Sequence, residues 1–176
     1  AAGCAVSANA DTQAFIDALQ AHRGILYKVA QVYCQRREDR ADLIQDIVTE
    51  LWRAWPRYRP EQPVSTWMHR ISVNVAISHF RGESRRIRDA VDIDTLALDL
   101  AAADQVMDAA AVDLAALHQL ISRLDAINRA LILLYLEGYG LDAIAELLGL
   151  STSNVGTRIQ RIKQRLQRSY AEESST

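Results

Sequence analysis

The sequence predicts an all-α protein of two small helical domains joined by a flexible acidic linker, with a helix-turn-helix in the second domain. Three observations lead to this fold class. Hydrophobic residues, mainly Ala, Leu and Ile, make up 49% of the 176-residue chain, and only 7 Gly and 3 Pro interrupt it. Apolar residues recur at helical spacing in two separate stretches. Between these stretches, residues 91–113 contain six aspartates and no basic residue.

The first domain is predicted to span residues 12–88, after a disordered tail of residues 1–11. Apolar spacing predicts a first helix over roughly residues 12–35. The charged residues 36–40 then break the pattern, and a second amphipathic helix follows that ends near Pro56. This half of the domain should therefore consist of two helices with a short charged connection.

A loop over residues 57–63 separates the second helix from a third, because Pro60 and Pro63 cannot continue a helix. The third helix is predicted from Ser65 to Phe80. Beyond it the chain becomes acidic and rich in alanine, so residues 89–112 are predicted to be the linker between the two domains.

The second domain is predicted to span residues 113–170, before a short tail of residues 171–176. A short apolar helix ends at Gly149, a residue suited to the left-handed conformation at a helix end. Ser151 or Thr152 is a good N-cap for the next helix. The apolar residues of that helix are spaced by four, three and four positions: Val155, Ile159, Ile162 and Leu166. A helix, a three-residue turn and a helix form a helix-turn-helix pattern.

Three surfaces carry candidate chemistry. In the last helix, a basic stripe next to the apolar face favours insertion into the major groove of DNA over a merely solvated face, given the preceding helix and turn. The stripe is Asn154, Arg158, Arg161, Arg165 and Arg168. In the second helix, acids at spacings of three and four predict one exposed face, which is either solvated or docked on a basic protein. Those acids are Asp39, Asp42, Asp46 and Glu50.

The third surface combines the loop at residues 57–63 with the third helix. Its basic residues, aromatic rings and amides suit single-stranded nucleic acid, whose bases can stack or be read along their edges. Trp52, Trp55 and Trp67 are more often core residues than stacking platforms, so the loop residues are the better candidates.

The chain lacks the motifs of several function classes. It has no Gly-rich phosphate loop, no HExxH motif and no nucleophile with a matched base, so we expect neither an enzyme nor a cofactor. Cys4 and Cys34 show no metal-ligand spacing and are interpreted as free thiols of a cytoplasmic protein. We find no signal peptide and no apolar run long enough to insert into a membrane.

Two sets of motifs, in this order, resemble the extracytoplasmic-function (ECF) group of bacterial sigma factors. The resemblance to region 2 comes from two segments, Asp42-Leu-Ile-Gln-Asp-Ile-Val-Thr-Glu-Leu-Trp52 and Ser65-Thr-Trp-Met-His-Arg-Ile-Ser-Val-Asn74. The resemblance to region 4 comes from three segments, Leu120-Ile-Ser-Arg-Leu124, Tyr135-Leu-Glu-Gly-Tyr139 and Ile144-Ala-Glu-Leu-Leu-Gly-Leu-Ser151. The resemblance implies a non-enzymatic factor that directs core RNA polymerase, through its β′ and β subunits, to promoter DNA. It also implies control by an anti-sigma factor.

The resemblance assigns a role to each surface. Core-polymerase contacts would come from Asp39, Asp42, Gln45, Asp46 and Glu50. Contacts to the melted −10 element would come from Arg57, Tyr58, Arg59, His69, Arg70, Asn74, Ser78, His79 and Arg81. Contacts to the −35 duplex would come from Ser151, Thr152, Ser153, Asn154, Thr157, Arg158, Arg161 and Arg165.

Three departures from the family pattern bear on these assignments. The start of the acidic motif has fewer acids than is usual, Asp125 stands where the family often has proline, and Gly156 stands where it often has Lys or Arg. Two other functions remain open. One is a stand-alone helix-turn-helix regulator that uses residues 1–90 to dimerise or to sense a signal. The other is a polymerase-binding module without promoter recognition.

Overall fold

The computed structural model describes residues 2–82, 117 and 119–173, and within them the side chains of residues 11–82, 117 and 119–168. All regular elements in these ranges are helical, which confirms the all-α class. They are α1 (Ala2–Ala21), α2 (Arg23–Tyr33), α3 (Arg37–Ala54), a 3-10 turn (Trp55–Arg57), α4 (Val64–Phe80), α5 (Ala126–Leu136), α6 (Leu141–Leu148) and α7 (Thr152–Glu173). The predicted linker, residues 89–112, lies outside the described residues.

Both chain ends differ from the predicted tails. At the N-terminal end, α1 begins at Ala2, within residues 1–11 that were predicted to be a tail. Five of the first ten residues are alanine, the strongest helix former. At the other end α7 continues to Glu173, three residues into the predicted tail.

The first predicted helix is two helices, and the charged break after it is shorter than expected. α1 and α2 meet at His22, whose backbone (φ −116°, ψ 16°) leaves the helical region just before Gly24, a weak helix former. α3 already begins at Arg37, inside the predicted break. Glu38 and Asp39 lie in its first turn, where negative charge is favoured by the helix dipole.

The first core forms where α2, α3 and α4 pack against one another. Phe15 and Leu19 of α1 are 2% and 1% exposed, so α1 is anchored to the same core. The other fully buried side chains of this core, from α2, α3 and α4, include Leu26, Val29, Leu43, Ile47, Leu51, Met68, Val73 and Ala76. The buried residues of α1, α2 and α3 match the apolar spacing of the sequence, which is why these helices were predictable.

The helix-turn-helix of the second half is confirmed. Gly149 ends α6 with φ 66° and ψ 36°, the left-handed conformation, and the Leu150 N–H donates to the Ala145 carbonyl at 2.9 Å. Val155 and Ile159 of α7 are at most 4% exposed. The departure at Asp125 has a local explanation: its carboxylate caps α5 by accepting the Asn128 N–H at 2.9 Å.

The two helical groups contact each other. α2 and α4 of the first group pack against α5 of the second, and α4 also contacts α6. Buried side chains of both groups belong to one continuous apolar cluster. Among the described helices, none combines the length and the hydropathy required to cross a membrane.

Candidate nucleic-acid interface

The basic residues of α7 lie away from the core. Val155, Ile159 and Ile162 hold one face of α7 against α5 and α6. The neighbouring side of the helix carries the exposed Asn154, Arg161, Arg165 and Arg168 and the half-buried Arg158. Cations and amides on the second helix of a helix-turn-helix can reach phosphates and base edges in the major groove.

The first turn of α7 divides the predicted −35 residues into two groups. Ser151 caps the helix, since its Oγ lies 3.3 Å from the Asn154 backbone N–H. The Thr152 hydroxyl donates to Asp142 Oδ1 at 2.7 Å and ties α7 to α6. These two hydroxyls therefore position the helix. Both residues are exposed, as are five other predicted −35 residues: Ser153, Asn154, Thr157, Arg161 and Arg165. Arg158 is half-buried.

Lys163 does not belong to the basic face, although it lies among the arginines in the sequence. Its Nζ is 2.6 Å from the Tyr135 hydroxyl and 4.1 Å from the centre of that ring. Such a cation–π contact holds the ammonium against α5. Lys163 thus joins α7 to the core of its own half, a role that spacing alone did not reveal.

Gly156 is a half-buried position inside α7 with room for a side chain. A Cβ there would lie 3.5 Å from Leu141 Cδ1, an ordinary van der Waals distance. We expect Gly156→Ala to raise the free energy of unfolding by about 1 kcal/mol, because glycine costs that much in a helix interior. Urea denaturation measures this. The matched control, Gly149→Ala, should be destabilising because φ is +66° there, and a loss of stability in Gly156→Ala would contradict the prediction.

The acidic face of α3 is smaller than predicted. Asp39, Asp42 and Gln45 are exposed, and the half-buried Glu50 is bridged to Arg53 at 2.8 Å. The expectation that Asp46 shares this exposed face is wrong, because Asp46 is 5% exposed. The reason is tertiary: α4 packs against α3, and the His79 Nδ1 of α4 lies 3.1 Å from Asp46 Oδ2.

Tyr58 holds the loop that follows α3 in place. Its ring stacks on Trp55 (centroids 5.2 Å apart, planes at 14°) and lies 5.1 Å from Trp67. Its hydroxyl donates to the Gln62 carbonyl at 2.9 Å, across the loop. The neighbouring Arg57 and Arg59 are exposed. The contacts of Tyr58 therefore stabilise the loop that exposes Arg57 and Arg59.

The last turns of α4 bring together four of the predicted −10 residues. Asn74 and Arg81 are exposed, whereas Ser78 and His79 are half-buried. They recur at intervals that place Asn74, Ser78 and Arg81 on one side of the helix. This side extends to the C-terminal end of α4 and carries amide, hydroxyl and guanidinium groups.

His69 is separated from that side of α4. Its side chain is buried against the second helical group, with Nδ1 3.0 Å from both the Ser65 carbonyl and the Tyr139 hydroxyl. Burial lowers the pKa of His69 below its usual value, although the Ser65 carbonyl and Glu137 oppose this effect. His69 is therefore a contact between the two helical groups in this arrangement. Arg70 has a similar position, 3.2 Å from Glu146 of α6.

Known protein families match both helical groups of the chain. Residues 18–86 match Sigma-70 region 2, and residues 114–166 match Sigma-70, region 4. Together these matches cover more than half of the chain. The chain belongs to the sigma-70 family.

Relatives place it in the ECF group of sigma factors. The ECF RNA polymerase sigma factor SigM of Mycobacterium tuberculosis is 29% identical over 159 residues, which is 90% of this chain and 78% of that protein. The solved structure of CnrH in complex with the cytosolic domain of CnrY has a TM-score of 0.65 at 24% identity, covering 96% and 94% of the chains. The sigma factor RpoE of Bartonella quintana, solved with the anti-sigma factor NepR, has a TM-score of 0.62 at 21% identity, covering 89% and 94%.

Regions 2 and 4 of this sigma factor are joined by a buried arginine. Arg129 of α5 is 6% exposed, and its guanidinium donates to the carbonyls of Val32 and Tyr33, the last residues of α2. It also bonds the Leu124 and Ser122 carbonyls within region 4. A cation is favoured at the C-terminal end of a helix.

Further contacts reinforce the junction between the regions. The Tyr33 hydroxyl donates to the Ala126 carbonyl at 2.6 Å, and burial raises the pKa of that hydroxyl above its usual value. Lys28 of α2 pairs with Glu137 at 2.8 Å. The sequence showed helical spacing around these residues, but it contained no signal that would pair them across the two regions.

Proposed function

We propose that this ECF-type sigma factor binds core RNA polymerase and directs promoter-specific initiation of transcription, without catalytic activity of its own. The observation that carries the proposal is the exposed basic face of α7, in a helix-turn-helix that follows region 2 in the same chain. Region 2 adds a second nucleic-acid face on α4. We propose the cytoplasm as its location, where polymerase and promoter DNA are found.

The −35 element is proposed to be read by α7. Arg158, Arg161 and Arg165 would contact phosphates or guanine edges, the usual partners of arginine in the major groove. Asn154, Ser153 and Thr157 are exposed near the start of the helix, where side chains reach bases. Arg158 Nε is held by Asn154 Oδ1 at 2.8 Å, which orients the guanidinium along this face. Ser151 and Thr152 act by holding α7 in place.

The −10 element is proposed to be bound by the end of α4 and the loop before it. Arg57 and Arg59 would contact the backbone of the melted strand, and Tyr58 would support the loop that presents them. Asn74, Ser78 and Arg81, which share one side of α4, would face the bases, and the half-buried His79 would border them. The burial of His69 and the Arg70–Glu146 contact mean that these two residues can join the surface only after region 4 moves away from region 2.

Polymerase docking is proposed for the exposed acidic part of α3. Asp39, Asp42 and Gln45 are exposed, and the half-buried Glu50 lies two turns after Asp42. A basic surface of the β′ subunit is the complementary partner, with the β subunit contacted elsewhere. Charge complementarity of this kind raises the rate of association and selects the partner.

We also propose that an anti-sigma factor controls this protein. The support is that the two solved structures named above are complexes, one with the cytosolic domain of CnrY and the other with the anti-sigma factor NepR. Such a partner would act by covering the acidic face of α3 or the basic face of α7.

Transcription with core polymerase on fragmented genomic DNA tests the proposed function. We expect promoter-specific transcripts when core enzyme and this chain are both present, and none with core enzyme alone. Gel shifts with the chain alone serve as the control and should show no tight binding to duplex promoters. Tight binding to a two-fold symmetric site without polymerase would instead establish a stand-alone regulator.

A further inference from the structure

The junction between regions 2 and 4 contains polar contacts at its centre and at its edge. At the centre, the buried Arg129 donates to the Tyr33 carbonyl, and the Tyr33 hydroxyl donates to the Ala126 carbonyl. At the edge, Lys28 pairs with Glu137 at 2.8 Å, and more than half of the Lys28 side chain is exposed. Because buried polar groups are costly without partners, these contacts favour one defined, closed arrangement of the two regions.

The closed arrangement is too small to reach both promoter elements at once. Their names place the −10 and −35 elements about 25 base pairs apart, which is about 85 Å along a duplex at roughly 3.4 Å per base pair. A compact chain of 176 residues has a radius of gyration of about 16 Å and therefore a diameter of about 40 Å. The proposed surfaces on α4 and α7 can therefore reach their elements together only after the junction opens.

The chain is long enough for this opening to leave both regions folded. Residues 83–116, which connect the two described parts of the chain, number 34. An extended chain of that length spans about 110 Å, at roughly 3.3 Å per residue. Separation of the regions therefore requires only the loss of the contacts at the junction.

Closure leaves the basic face of α7 and the acidic face of α3 uncovered. α7 packs on α5 and α6, and its Arg161 and Arg165 are exposed. Asp39 and Asp42 of α3 are exposed as well. Closure therefore limits the protein through the distance between its two DNA-binding surfaces, together with the burial of His69, and not by covering the basic helix.

We propose that the junction holds the free protein in a closed, self-inhibited form, and that core polymerase binds productively to the open form. This rests on the proposed function, since the holoenzyme has to hold the two DNA-binding surfaces apart. The apparent affinity for core polymerase then equals the intrinsic affinity multiplied by the open fraction. Weakening the junction should therefore strengthen binding, whereas a purely structural junction would give weaker binding or no change.

Two single variants weaken the junction at different places. Tyr33→Phe removes the hydroxyl that bonds the Ala126 carbonyl, and Lys28→Gln removes the charge that pairs with Glu137. We expect the apparent affinity for core polymerase to rise about fivefold in Tyr33→Phe. The rise should be about twofold in Lys28→Gln, because an exposed ion pair contributes less. Titration of fluorescently labelled core polymerase with each variant measures the affinity.

Gln13→Ala is the matched control for these variants. It removes an exposed hydrogen bond to Asp17 that lies within α1 and does not cross the junction. This control should leave the affinity for core polymerase unchanged. The proposal is overturned if Tyr33→Phe binds core polymerase no more tightly than the wild type does.

A chemical link across the junction tests the proposal in the opposite direction. Gln35 and Ser122 meet there, with Nε2 of the first 3.1 Å from Oγ of the second. A bifunctional thiol reagent with a cleavable disulfide can link Gln35→Cys to Ser122→Cys in a Cys4→Ser background, since the native Cys34 is buried. We expect no promoter-specific transcript from the linked chain with core polymerase, and a return of transcription on reduction.

Either single cysteine variant, treated with the same reagent, is the control for the linked chain and should transcribe normally. Transcription by the linked chain at the level of the reduced chain would show that opening is not required. That result would overturn the proposal.

Small-angle scattering of the free protein needs no polymerase and separates the two possible failures. We expect a radius of gyration close to that of a compact chain of this length, about 16 Å. A value above about 25 Å would place the regions apart and overturn the closed form. If the free protein is compact but initiates at no promoter with core polymerase, the proposed function has failed and the closure has not.

Discussion

Arg158→Ala combined with Arg161→Ala is expected to lower transcription from promoters that depend on a −35 element by about 100-fold, since each lost contact costs about 1–3 kcal/mol. Arg161 is exposed and Arg158 is half-buried, and neither belongs to the buried face of Val155 and Ile159, so the fold should be retained. Runoff transcription with saturating core enzyme measures the effect, and far-UV circular dichroism checks the helix content.

The control for this double variant is Arg23→Ala combined with Arg36→Ala, which removes the same charge from exposed positions in region 2. This control should retain most of the activity at −35-dependent promoters. If the α7 variant instead transcribes as well as the wild type, α7 does not read the −35 element. The chain would then be a polymerase-binding module without that recognition.

Arg129→Ala is expected to lower the free energy of unfolding by about 3 kcal/mol, because buried carbonyls lose charged donors. The Val32 and Tyr33 carbonyls at the end of α2 would lose their contact with region 4. Urea denaturation measures the loss, and the radius of gyration in solution reports the separation of the regions, which should increase.

Two further variants serve as comparisons for Arg129→Ala, one at the junction between the regions and one at an exposed position of region 4. Tyr33→Phe removes only the hydroxyl that bonds the Ala126 carbonyl, and should cost about 1 kcal/mol. Arg168→Ala, at an exposed position of α7, should change stability by less than about 0.5 kcal/mol. An Arg129→Ala protein with wild-type stability and dimensions would show that this arginine does not hold the regions together.

The helix-turn-helix was predictable because its signals are local. Gly149 adopts the left-handed conformation that its position suggested, and Val155, Ile159 and Ile162 are buried as their spacing required. The division of the first helix at His22 was not predicted, because apolar spacing continues across it. Within the candidate site, exposure was predicted correctly for Asp39 and wrongly for Asp46, although both fit the same helical face.

The sequence by itself determined the helical class, the turn before α7 and the basic stripe on that helix, because spacing of three and four residues and glycine conformation act over a few residues. Only the tertiary structure decided that Asp46 pairs with His79, that Lys163 turns to Tyr135 and that Arg129 caps α2. These contacts join residues 28 to 97 positions apart. The packing of one helix on another selects which polar side chain is covered, and the period of a single helix does not contain that information.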